Sequence, residues 1–254
     1  MNDLQKYFSK SLLATAALLV GASPALAQVS LGAASGFSVL AVSAVTCTAS
    51  AVTGDVGISP GTALTNTGCT ITGATPPASN VSAVDAHIAF LSAYAALWAQ
   101  SRACTQTLSS LDGLNLPPGV YCVDAVAKTG LLTLTGPVDG VWTFLVTGAL
   151  TGTNFSVAMA GGGQPYNVFW APTAAATMTN SALKGNILTG DVTGGSVTLT
   201  GGTLNGRALA NVAVTMTGVG VVGSVALAIP APPAPVTAPA CVVPGISPSI
   251  SPFN

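Results

Sequence analysis

A short motif, Thr-x-Thr, recurs along the second half of the chain between glycine-rich segments. The intervals between the first threonines of successive copies are 18, 26, 21 and 17 residues. Intervals of this size are typical of solenoid coils, each of which contributes one strand to a stack. The copies are Thr133-Leu134-Thr135, Thr151-Gly152-Thr153, Thr177-Met178-Thr179, Thr198-Leu199-Thr200 and Thr215-Met216-Thr217.

A second series alternates with the first: Asn167-Val168-Phe169-Trp170, Gly185-Asn186-Ile187-Leu188 and Gly206-Arg207-Ala208-Leu209. Two series in a constant order indicate stacked coils with distinct faces. In a strand, both threonines of Thr-x-Thr point to one side and the middle residue points to the core. Stacking then places equivalent threonines about 4.8 Å apart and the two threonines of one strand about 6.7 Å apart. The sequence therefore predicts a two-column grid of threonines on an outer face.

The stretch from residue 79 to residue 102 predicts the one long helix of the chain, over about 80–102. Ser79 or Asn80 can cap it, and Ser82 with Asp85 resembles a capping box. Because no second helix is predicted, we expect the helix to pack on a wall of sheet. The stripe expected to face that wall consists of apolar residues at helical spacing: Val84, Ile88, Leu91, Ala95 and Trp98, broadened by Phe90, Tyr94 and Leu97.

Charge and carboxylate content exclude several classes of function. Only 5% of the residues are charged, glutamate is absent and the net charge is -1, so the chain offers no basic surface for nucleic acid or an anionic membrane. An enzyme acting on extracellular polysaccharides needs two carboxylates, or calcium with a basic residue, gathered on one face. The aspartates are too few and scattered for that, and the single histidine, His87, lies on the predicted helix. We therefore expect no catalytic residues and no cofactor.

The two ends of the chain differ from its middle. Residues 1–27 predict a signal peptide, with Lys6 and Lys10 before an apolar stretch and Ala25-Leu26-Ala27 as the cleavage site. That apolar stretch is too short to span a membrane. We expect a secreted protein, extracellular or periplasmic, with one domain over 28–223 and an uncharged, proline-rich tail over 224–254. The tail is either a linker or an extension that packs on the solenoid.

The chain has five cysteines: Cys47, Cys69, Cys104, Cys122 and Cys241. Four paired cysteines allow three connectivities, and export makes disulfides reasonable. We favour Cys47 with Cys69 and Cys104 with Cys122, because each pair closes a local loop, and Cys241 is left over. We expect no metal site, since there is no Cys-x-x-Cys and His87 is remote in sequence from any two closely spaced cysteines.

Several motifs, taken in order, resemble those of the microbial ice-binding proteins. That family is a discontinuous three-faced β-helix with one long helix alongside. The resemblance covers Leu31 to about Val222 and rests on Gly54-Asp55-Val56-Gly57-Ile58-Ser59-Pro60-Gly61, Pro118-Gly119-Val120-Tyr121-Cys122, Asn167-Val168-Phe169-Trp170, Lys184-Gly185-Asn186-Ile187-Leu188 and Asn205-Gly206-Arg207-Ala208-Leu209-Ala210.

The resemblance implies a mainly β protein, a right-handed discontinuous β-solenoid with the α-helix packed alongside. It implies that the first strands stack with the last, and that a small cap, for which Thr62 to Asn80 is the candidate, lies between strand and helix. Inside these motifs, Lys184, Asn186, Asn205 and Arg207 have glycine neighbours, which favours roles in turns and coil corners. Asp55 and Asp191 are interpreted as turn formers, and His87 as a surface or packed residue of the helix.

The resemblance also implies a function, ice binding, with ice or ordered water as the partner of a chain that we expect to be monomeric. Some relatives carry T-[AG]-x-[TN] on the ice-contacting face. Here it matches Thr62-Ala63-Leu64-Thr65, Thr72-Gly73-Ala74-Thr75, Thr151-Gly152-Thr153-Asn154 and Thr200-Gly201-Gly202-Thr203, while Thr177-Met178-Thr179-Asn180 departs from it. The expected ice-binding residues are Thr133, Thr135, Thr151, Thr153, Asn154, Thr177, Thr179, Asn180, Thr198, Thr200, Thr203, Thr215 and Thr217.

The alternative is an extracellular adhesive or structural solenoid without ice activity, for which the proline-rich tail is the motivating feature. A face selected only for solubility would be expected to carry lysine, glutamate and aspartate beside its threonines. The Thr-x-Thr segments lack these residues. The sequence therefore favours ice binding over the adhesive alternative.

Overall fold

The structure is a computed structural model that describes residues 29–75, 81–104, 107–190 and 194–223. The predicted signal peptide, the proline-rich tail with Cys241, the capping candidates Ser79 and Asn80, and Asp191 lie outside these residues.

Short parallel strands, numbered in chain order, make up most of the described chain. They are β1 (Phe37–Ala41), β2 (Ala44–Thr48), β3 (Ala51–Thr53), β4 (Asp55–Ile58), β5 (Ala63–Thr67), β6 (Thr70–Ile71), β7 (Thr107–Leu108), β8 (Asn115–Leu116), β9 (Gly119–Asp124), β10 (Lys128–Thr135), β11 (Trp142–Thr147), β12 (Leu150–Ala160), β13 (Val168–Pro172), β14 (Ala176–Lys184), β15 (Asn186–Thr189), β16 (Val197–Asn205), β17 (Ala208–Ala210), β18 (Ala213–Thr217) and β19 (Gly220–Val222).

One sheet contains the second sequence series and lies under the helix, so we call it the helix-covered sheet. Its strand order is β4-β1-β17-β15-β13-β11-β9-β7, with parallel pairing throughout. Its strands β1, β13, β15 and β17 are buried along their whole length. A parallel sheet that is covered on both sides requires such continuous apolar runs.

The remaining strands form two further faces, because β12, β14 and β16 each bend midway. Each bend comes at a residue with a left-handed φ, which is 51° at Asn154, 48° at Asn180 and 63° at Gly201. The first halves of these strands stack with β18, β2 and β5, and we call this surface the threonine face. The second halves stack with β10 and β8 on one side and β19, β3 and β6 on the other, and we call this surface the third face.

The first strands of the chain stack directly on the last ones. Strand β1 pairs with β17, β2 pairs with β18, and β3 pairs with β19. The two ends of the solenoid domain are thus joined in one stack, as the resemblance implies. In the segment expected to form the cap, the described residues contain β5 and β6, which continue the stack on β2 and β3 as a further partial coil at its end.

The interior of the coils is filled by the inward residues of all three faces. Leu134, Met178, Leu199 and Met216, the middle residues of four Thr-x-Thr copies, are at most 3% exposed, as predicted. Aromatic rings also stack in the interior, on neighbouring strands of the helix-covered sheet. The rings are Tyr121, Phe144 and Trp170, with centroids 5.4 and 4.1 Å apart, and Phe155 meets Trp170 edge-on at 6.1 Å.

The predicted helix is confirmed as α1 (Val81–Trp98), followed by a 3-10 turn over Ala99–Ala103. It packs on the outer side of the helix-covered sheet, against the segment Gly32–Gly36 and strands β1, β11, β13 and β15. Among the described residues, no helix is both long enough and apolar enough to cross a membrane.

The buried side of α1 matches the predicted stripe in part, because Phe90 and Leu97 are buried and Leu91, Tyr94 and Trp98 are half-buried against the core. Val84 and Ile88 are 41% and 61% exposed and Ala95 is exposed, whereas the stripe that meets the sheet is Ala83, Ala86, Phe90, Ala93 and Leu97. The helix is apolar around most of its circumference, so side-chain hydrophobicity does not select a side. The alanines are small, and they let the helix approach the sheet closely while Phe90 and Leu97 fill the remaining gaps.

Both predicted disulfides are present: Cys47 is bonded to Cys69, and Cys104 to Cys122. The first joins β2 to the segment between β5 and β6, and therefore ties the end coil to the stack. The second joins the end of the 3-10 turn after α1 to β9, and therefore fixes the far end of the helix on the helix-covered sheet.

Candidate functional site

The threonine face carries two unbroken columns of threonines. Each step of the columns is a direct strand-to-strand register pair, so each coil contributes one threonine to each column. The first column is Thr65, Thr46, Thr215, Thr198, Thr177 and Thr151, and the second is Thr67, Thr48, Thr217, Thr200, Thr179 and Thr153. The pattern Thr-x-Thr is thus kept in six successive coils.

All twelve threonines are exposed or half-buried. Threonine hydroxyls that donate hydrogen bonds to protein groups lie elsewhere, as in Thr135 to Asn115, Thr147 to Val123 and Thr189 to Gly195. Within the described residues, none of the twelve column hydroxyls has such a partner. The columns therefore present an array of hydroxyl and methyl groups directly to solvent.

The backbone fixes the spacing of this array. Neighbouring parallel strands lie about 4.8 Å apart and alternate residues of one strand about 6.6 Å apart, so six coils extend each column over about 24 Å. β-Branched side chains have few allowed χ1 rotamers, which limits the motion of each hydroxyl. Each hydroxyl can both donate and accept a hydrogen bond. The arrangement can therefore hold water molecules in a regular pattern at fixed positions.

The threonine face stops at the same level in every coil, because β2, β5 and β18 end there and β12, β14 and β16 bend there. The residue that follows the second threonine has a left-handed φ in all six coils. Glycine adopts this conformation freely and asparagine tolerates it, which accounts for most of the sequence choices there. The six residues are Gly68, Ala49, Gly218, Gly201, Asn180 and Asn154. Their shared conformation aligns the corner and keeps the adjacent threonine column straight.

Eight of the predicted site residues come together in the columns: Thr151, Thr153, Thr177, Thr179, Thr198, Thr200, Thr215 and Thr217. Thr133, Thr135 and Thr203 instead lie on the third face, which corrects their placement in one grid. Thr133 and Thr135 are displaced because β10 stacks on the second half of β12, beyond its bend. Asn154 and Asn180 lie at the corner beside the second column.

Three threonines of the columns, Thr46, Thr48 and Thr67, were missed by sequence reasoning, and Thr65 was noted only as the last residue of Thr62-Ala63-Leu64-Thr65 and not among the expected ice-binding residues. The same Thr-x-Thr signal is present there, as Thr46-Cys47-Thr48 and Thr65-Asn66-Thr67. These copies precede the helix, far from the other copies in sequence. Their place in the columns depends on β2 stacking on β18, a long-range pairing that the local interval does not contain.

The T-[AG]-x-[TN] matches do not themselves form a column. Thr62 precedes β5, the match at 72–75 follows β6, and the match at 200–203 spans the corner between two faces. Only the match at 151–154 places two threonines on the face and its last residue at the corner. The relevant repeat in this chain is therefore Thr-x-Thr followed by a left-handed residue.

The third face is exposed but chemically irregular. One row of register partners runs through Leu131, Ser156, Ala182, Thr203, Gly220, Ala51 and Thr70. The neighbouring row contains the pair Lys184 and Asn205 and the pair Val222 and Thr53. A face with apolar, charged and hydroxyl side chains in unordered succession offers no repeating array, unlike the threonine face.

Two of the four polar residues singled out in the family motifs, Asn186 and Arg207, make buried hydrogen bonds that hold the structure together, whereas Lys184 and Asn205 are register partners on the third face. Asn186 is buried, and its side-chain amide donates to the carbonyl oxygens of Tyr166 and Val168, at 3.0 and 3.1 Å. Arg207, 4% exposed, donates to Asn186 Oδ1 at 2.9 Å and through Nε and Nη2 to the carbonyl oxygen of Ser35. Burial lowers the pKa of Arg207. Arg207 thus fastens the N-terminal segment to the solenoid.

Asp55 and His87, which the sequence analysis also interpreted, make polar contacts within the fold. Asp55, the first residue of β4, accepts a hydrogen bond at Oδ1 from the backbone N–H of Ala74 at 2.8 Å, which links two coils instead of closing the local turn that the sequence suggested. His87 is half-buried, with Nε2 3.0 Å from Asn211 Oδ1 and its ring stacked on Phe90. In the described part of the chain, no three His, Cys, Asp or Glu side chains are close enough together to hold a metal ion.

The sequence is similar to those of known ice-binding proteins. A family model described as "Ice-binding-like" matches residues 39–222. An ice-binding protein of Nostoc sp. (strain HG1) is 37% identical over 165 residues, which cover 62% of this chain and 60% of the relative. The chain thus spans somewhat more than half the length of that relative.

Solved structures show the same fold. The ice-binding protein of the Antarctic ascomycete Antarctomyces psychrotrophicus is 30% identical with a TM-score of 0.68, over 78% of this chain and 100% of that one. An ice-binding protein of an Antarctic Flavobacteriaceae bacterium is 32% identical with a TM-score of 0.68, over 80% of this chain and 48% of that one. The similarity to the ascomycete protein extends over its full length.

Proposed function

Since this chain belongs to the ice-binding-like family, we propose that it adsorbs to ice and that the threonine face is the adsorbing surface. The observation that supports this proposal is the pair of columns, twelve threonines in continuous register on an exposed sheet. The other two surfaces lack such an array. One is covered by α1, and the third face carries Leu131 and Lys184 among its outward residues.

The proposed mechanism follows from the chemistry of threonine. Stiff hydroxyls at fixed spacing hold water in a lattice, and the methyl groups between them disfavour competing orientations of that water. No charged residue occurs in the strand segments of the face, so no strongly hydrated ion disturbs the pattern. Water ordered in this way can join a growing ice surface, and the rigid core holds the protein there.

Ice binding by a fixed surface needs no covalent chemistry. The family is a non-enzymatic one, which agrees with the expectation that the chain is not an enzyme. Both columns are complete within one chain, so we propose that the monomer is sufficient. Light scattering during gel filtration should give the mass of a single mature chain, and an obligate dimer would contradict this.

We also propose that the chain is exported and cleaved after Ala27. Two disulfides suit an oxidising compartment, and Ala25-Leu26-Ala27 precedes the start of the domain. Mass spectrometry of the protein secreted by an expressing host should find Gln28 at the N-terminus. Recovery of the protein only inside the cytoplasm with Met1 retained would contradict export.

The direct test of function is the habit of single ice crystals in dilute protein. We expect the wild-type chain to produce faceted or burst-like growth. Thr177→Tyr and Thr198→Tyr, each near the middle of the first column, should restore plain discs, because one bulky ring separates a flat face from ice. Thr133→Tyr is the control on the third face and should keep the wild-type habit.

Thermal unfolding separates a lost surface from a lost fold. Substitutions of outward-facing residues away from special structural features usually change stability by less than about 0.5 kcal/mol, so all three variants should unfold near the wild-type midpoint. Asn167 is unsuitable as a control, because it is 2% exposed and its side chain donates to the carbonyl oxygen of Val138. Plain discs with the wild-type chain would reject ice binding and favour the adhesive or structural alternative.

A further inference from the structure

The backbone ladder of the solenoid is interrupted at the corner between the threonine face and the third face. Between β12 and β14, register pairing stops after Thr153 and resumes only at Ser156. The pairing of β18 with β2 also ends at this corner, and the next pairs of the same two coils join β19 to β3. A buried backbone N–H without a partner is costly, so the donors at the interruption need acceptors from outside the ladder.

Two buried serines supply such acceptors. Ser181 and Ser50 are 3% and 7% exposed. The N–H of Phe155 donates to Ser181 Oγ at 3.2 Å, and the N–H of Val219 donates to Ser50 Oγ at 3.1 Å. Each of these hydrogen bonds runs from one coil to the next, so each serine closes a gap in the ladder.

Each serine hydroxyl also donates a hydrogen bond within its own coil. The acceptor for Ser181 is the carbonyl oxygen of Thr179 at 3.0 Å, and the acceptor for Ser50 is that of Thr48 at 2.9 Å. Both threonines belong to the second column of the threonine face. The hydroxyls therefore connect the backbone of two column threonines to the neighbouring coils.

The donated hydrogen bond crosses a left-handed residue that carries a β-carbon. Asn180 precedes Ser181 and Ala49 precedes Ser50, with φ angles of 48° and 47°. Residues with a β-carbon disfavour this conformation, whereas glycine adopts it freely. The three coils with a glycine at this corner have no serine at the next position. Of the three non-glycine corner residues, Asn180 and Ala49 are each followed by a serine, and Asn154 is not.

We propose that Ser50 and Ser181 are positioning residues of the threonine face, whose hydroxyls hold Thr48 and Thr179 in line with the rest of the second column. The serines are buried and do not touch ice, so they act through the backbone of the threonines. A face that adsorbs as one flat surface requires each threonine to stay at the same height. The inference rests on the proposed function and names residues on which the flatness of the face depends.

The test compares buried serines at two different corners of the solenoid. Ser181→Ala and Ser50→Ala each remove a hydroxyl behind the second column. Ser38→Ala is the matched control, because Ser38 is 3% exposed and its hydroxyl donates to the carbonyl oxygen of Thr53 at 2.7 Å, at the corner between the third face and the helix-covered sheet. All three variants lose a buried hydroxyl that bonds to a backbone carbonyl, so a general loss of stability affects all of them.

Partition of the protein into slowly growing ice separates positioning from stability. Ser181→Ala and Ser50→Ala should each lower the fraction that enters the ice about threefold or more, since one buried hydrogen bond shifts a local equilibrium by about that factor. Ser38→Ala should enter the ice like the wild type. Wild-type partition by all three variants, or an equal loss in all three, would overturn the proposal.

A second readout distinguishes failure of this inference from failure of the proposed function. If the wild-type chain itself stays in the liquid, the proposed function is wrong, and the mobility of the Thr179 methyl group decides the positioning role. NMR relaxation should show a more mobile Thr179 methyl in Ser181→Ala than in the wild type or in Ser38→Ala. Unchanged mobility in Ser181→Ala would overturn the proposal whether or not the protein binds ice.

Discussion

At position 49 an alanine occupies a backbone conformation that L-residues with a β-carbon avoid. Its φ is 47°, and the residues at the equivalent corner of the coils above and below are Gly68 and Gly218. A left-handed conformation costs about 1–2 kcal/mol for an ordinary residue. The corner is therefore enforced by the stack, because β2 is held between β5 and β18.

Ala49→Gly should raise stability, by about 0.5 kcal/mol or more, since the strain removed exceeds the extra unfolded-state entropy of glycine. Ala51→Gly, two residues later in β3, is the matched control. That exposed position has no left-handed φ, so the same change should lower stability by about 0.5–1 kcal/mol. Denaturant unfolding of both variants gives the two signs, and a loss of stability with Ala49→Gly would contradict the strain.

One ion pair gives the fold a defined sensitivity to acid. Lys128 is buried, and its ammonium donates to Asp124 at 2.9 Å and to the carbonyl oxygen of Ser109 at 2.7 Å. The hydrogen bond from Lys128, followed by one involving Ser109, lowers the pKa of Asp124. Because the folded-state pKa is lower than the unfolded one, the stabilisation is present above the usual aspartate pKa and disappears as pH falls through the folded value.

We therefore expect the thermal midpoint to fall when the pH drops below about 4, the ordinary pKa of aspartate. Asp124→Asn should be less stable than wild type at neutral pH and should lose less on acidification. Thermal scans of both proteins across acidic pH measure this difference. An identical acid-induced loss in wild type and variant would show that Asp124 is not the responsible group.

At the scale of elements, the type of each segment was easier to predict than the side it presents. The helix was predicted within a few residues, because capping residues and an apolar run identify it locally. Its buried side was predicted only in part, through Phe90 and Leu97, because Val84 and Ile88 are as apolar as the residues that are buried. The choice depends on the close approach that Ala83 and Ala86 allow, a property of the helix and sheet together.

If close packing selects the buried side of α1, a larger side chain should lower stability much more on the buried side than on the outer side. Ala86→Leu should destabilise the protein by about 1–3 kcal/mol, because a fully buried position at the sheet has no room for a larger side chain. Val84→Leu, on the outer side, should change stability by less than about 0.5 kcal/mol. Chemical denaturation distinguishes them, and similar effects at both positions would contradict the assignment of the buried face.

The threonine columns were also predicted in part: the sequence indicates which residues point outward, but not on which face each strand lies. The alternation of Thr-x-Thr predicts that its threonines share a face, and eight of them do. The placement of Thr133 and Thr203 required knowledge of where each strand bends, which a single left-handed residue decides. A repeat interval alone contains no such information, so the two exposed faces could not be separated from the sequence.

At the scale of the whole molecule, the face depends on joining the two ends of the domain. Strand β2 stacks on β18, so Thr46 and Thr48 pair with Thr215 and Thr217, although most of the domain's sequence lies between them. The disulfide between Cys47 and Cys69 then ties the partial coil of β5 and β6, at the end of the stack, to β2. Family resemblance implied this closure, whereas the spacing of the motifs did not. The columns extend over six coils only because the ends meet.

The central claim, that the two columns bind ice as one rigid surface, is tested most directly by partition of the protein into slowly growing ice. Thr200 and Thr203 lie on the same strand, are both exposed, and face opposite sides of the corner at Gly201. We expect wild type and Thr203→Tyr to enter the ice, whereas Thr200→Tyr should remain in the liquid with an unchanged unfolding midpoint. Exclusion of Thr203→Tyr together with entry of Thr200→Tyr would contradict it and assign ice binding to the third face.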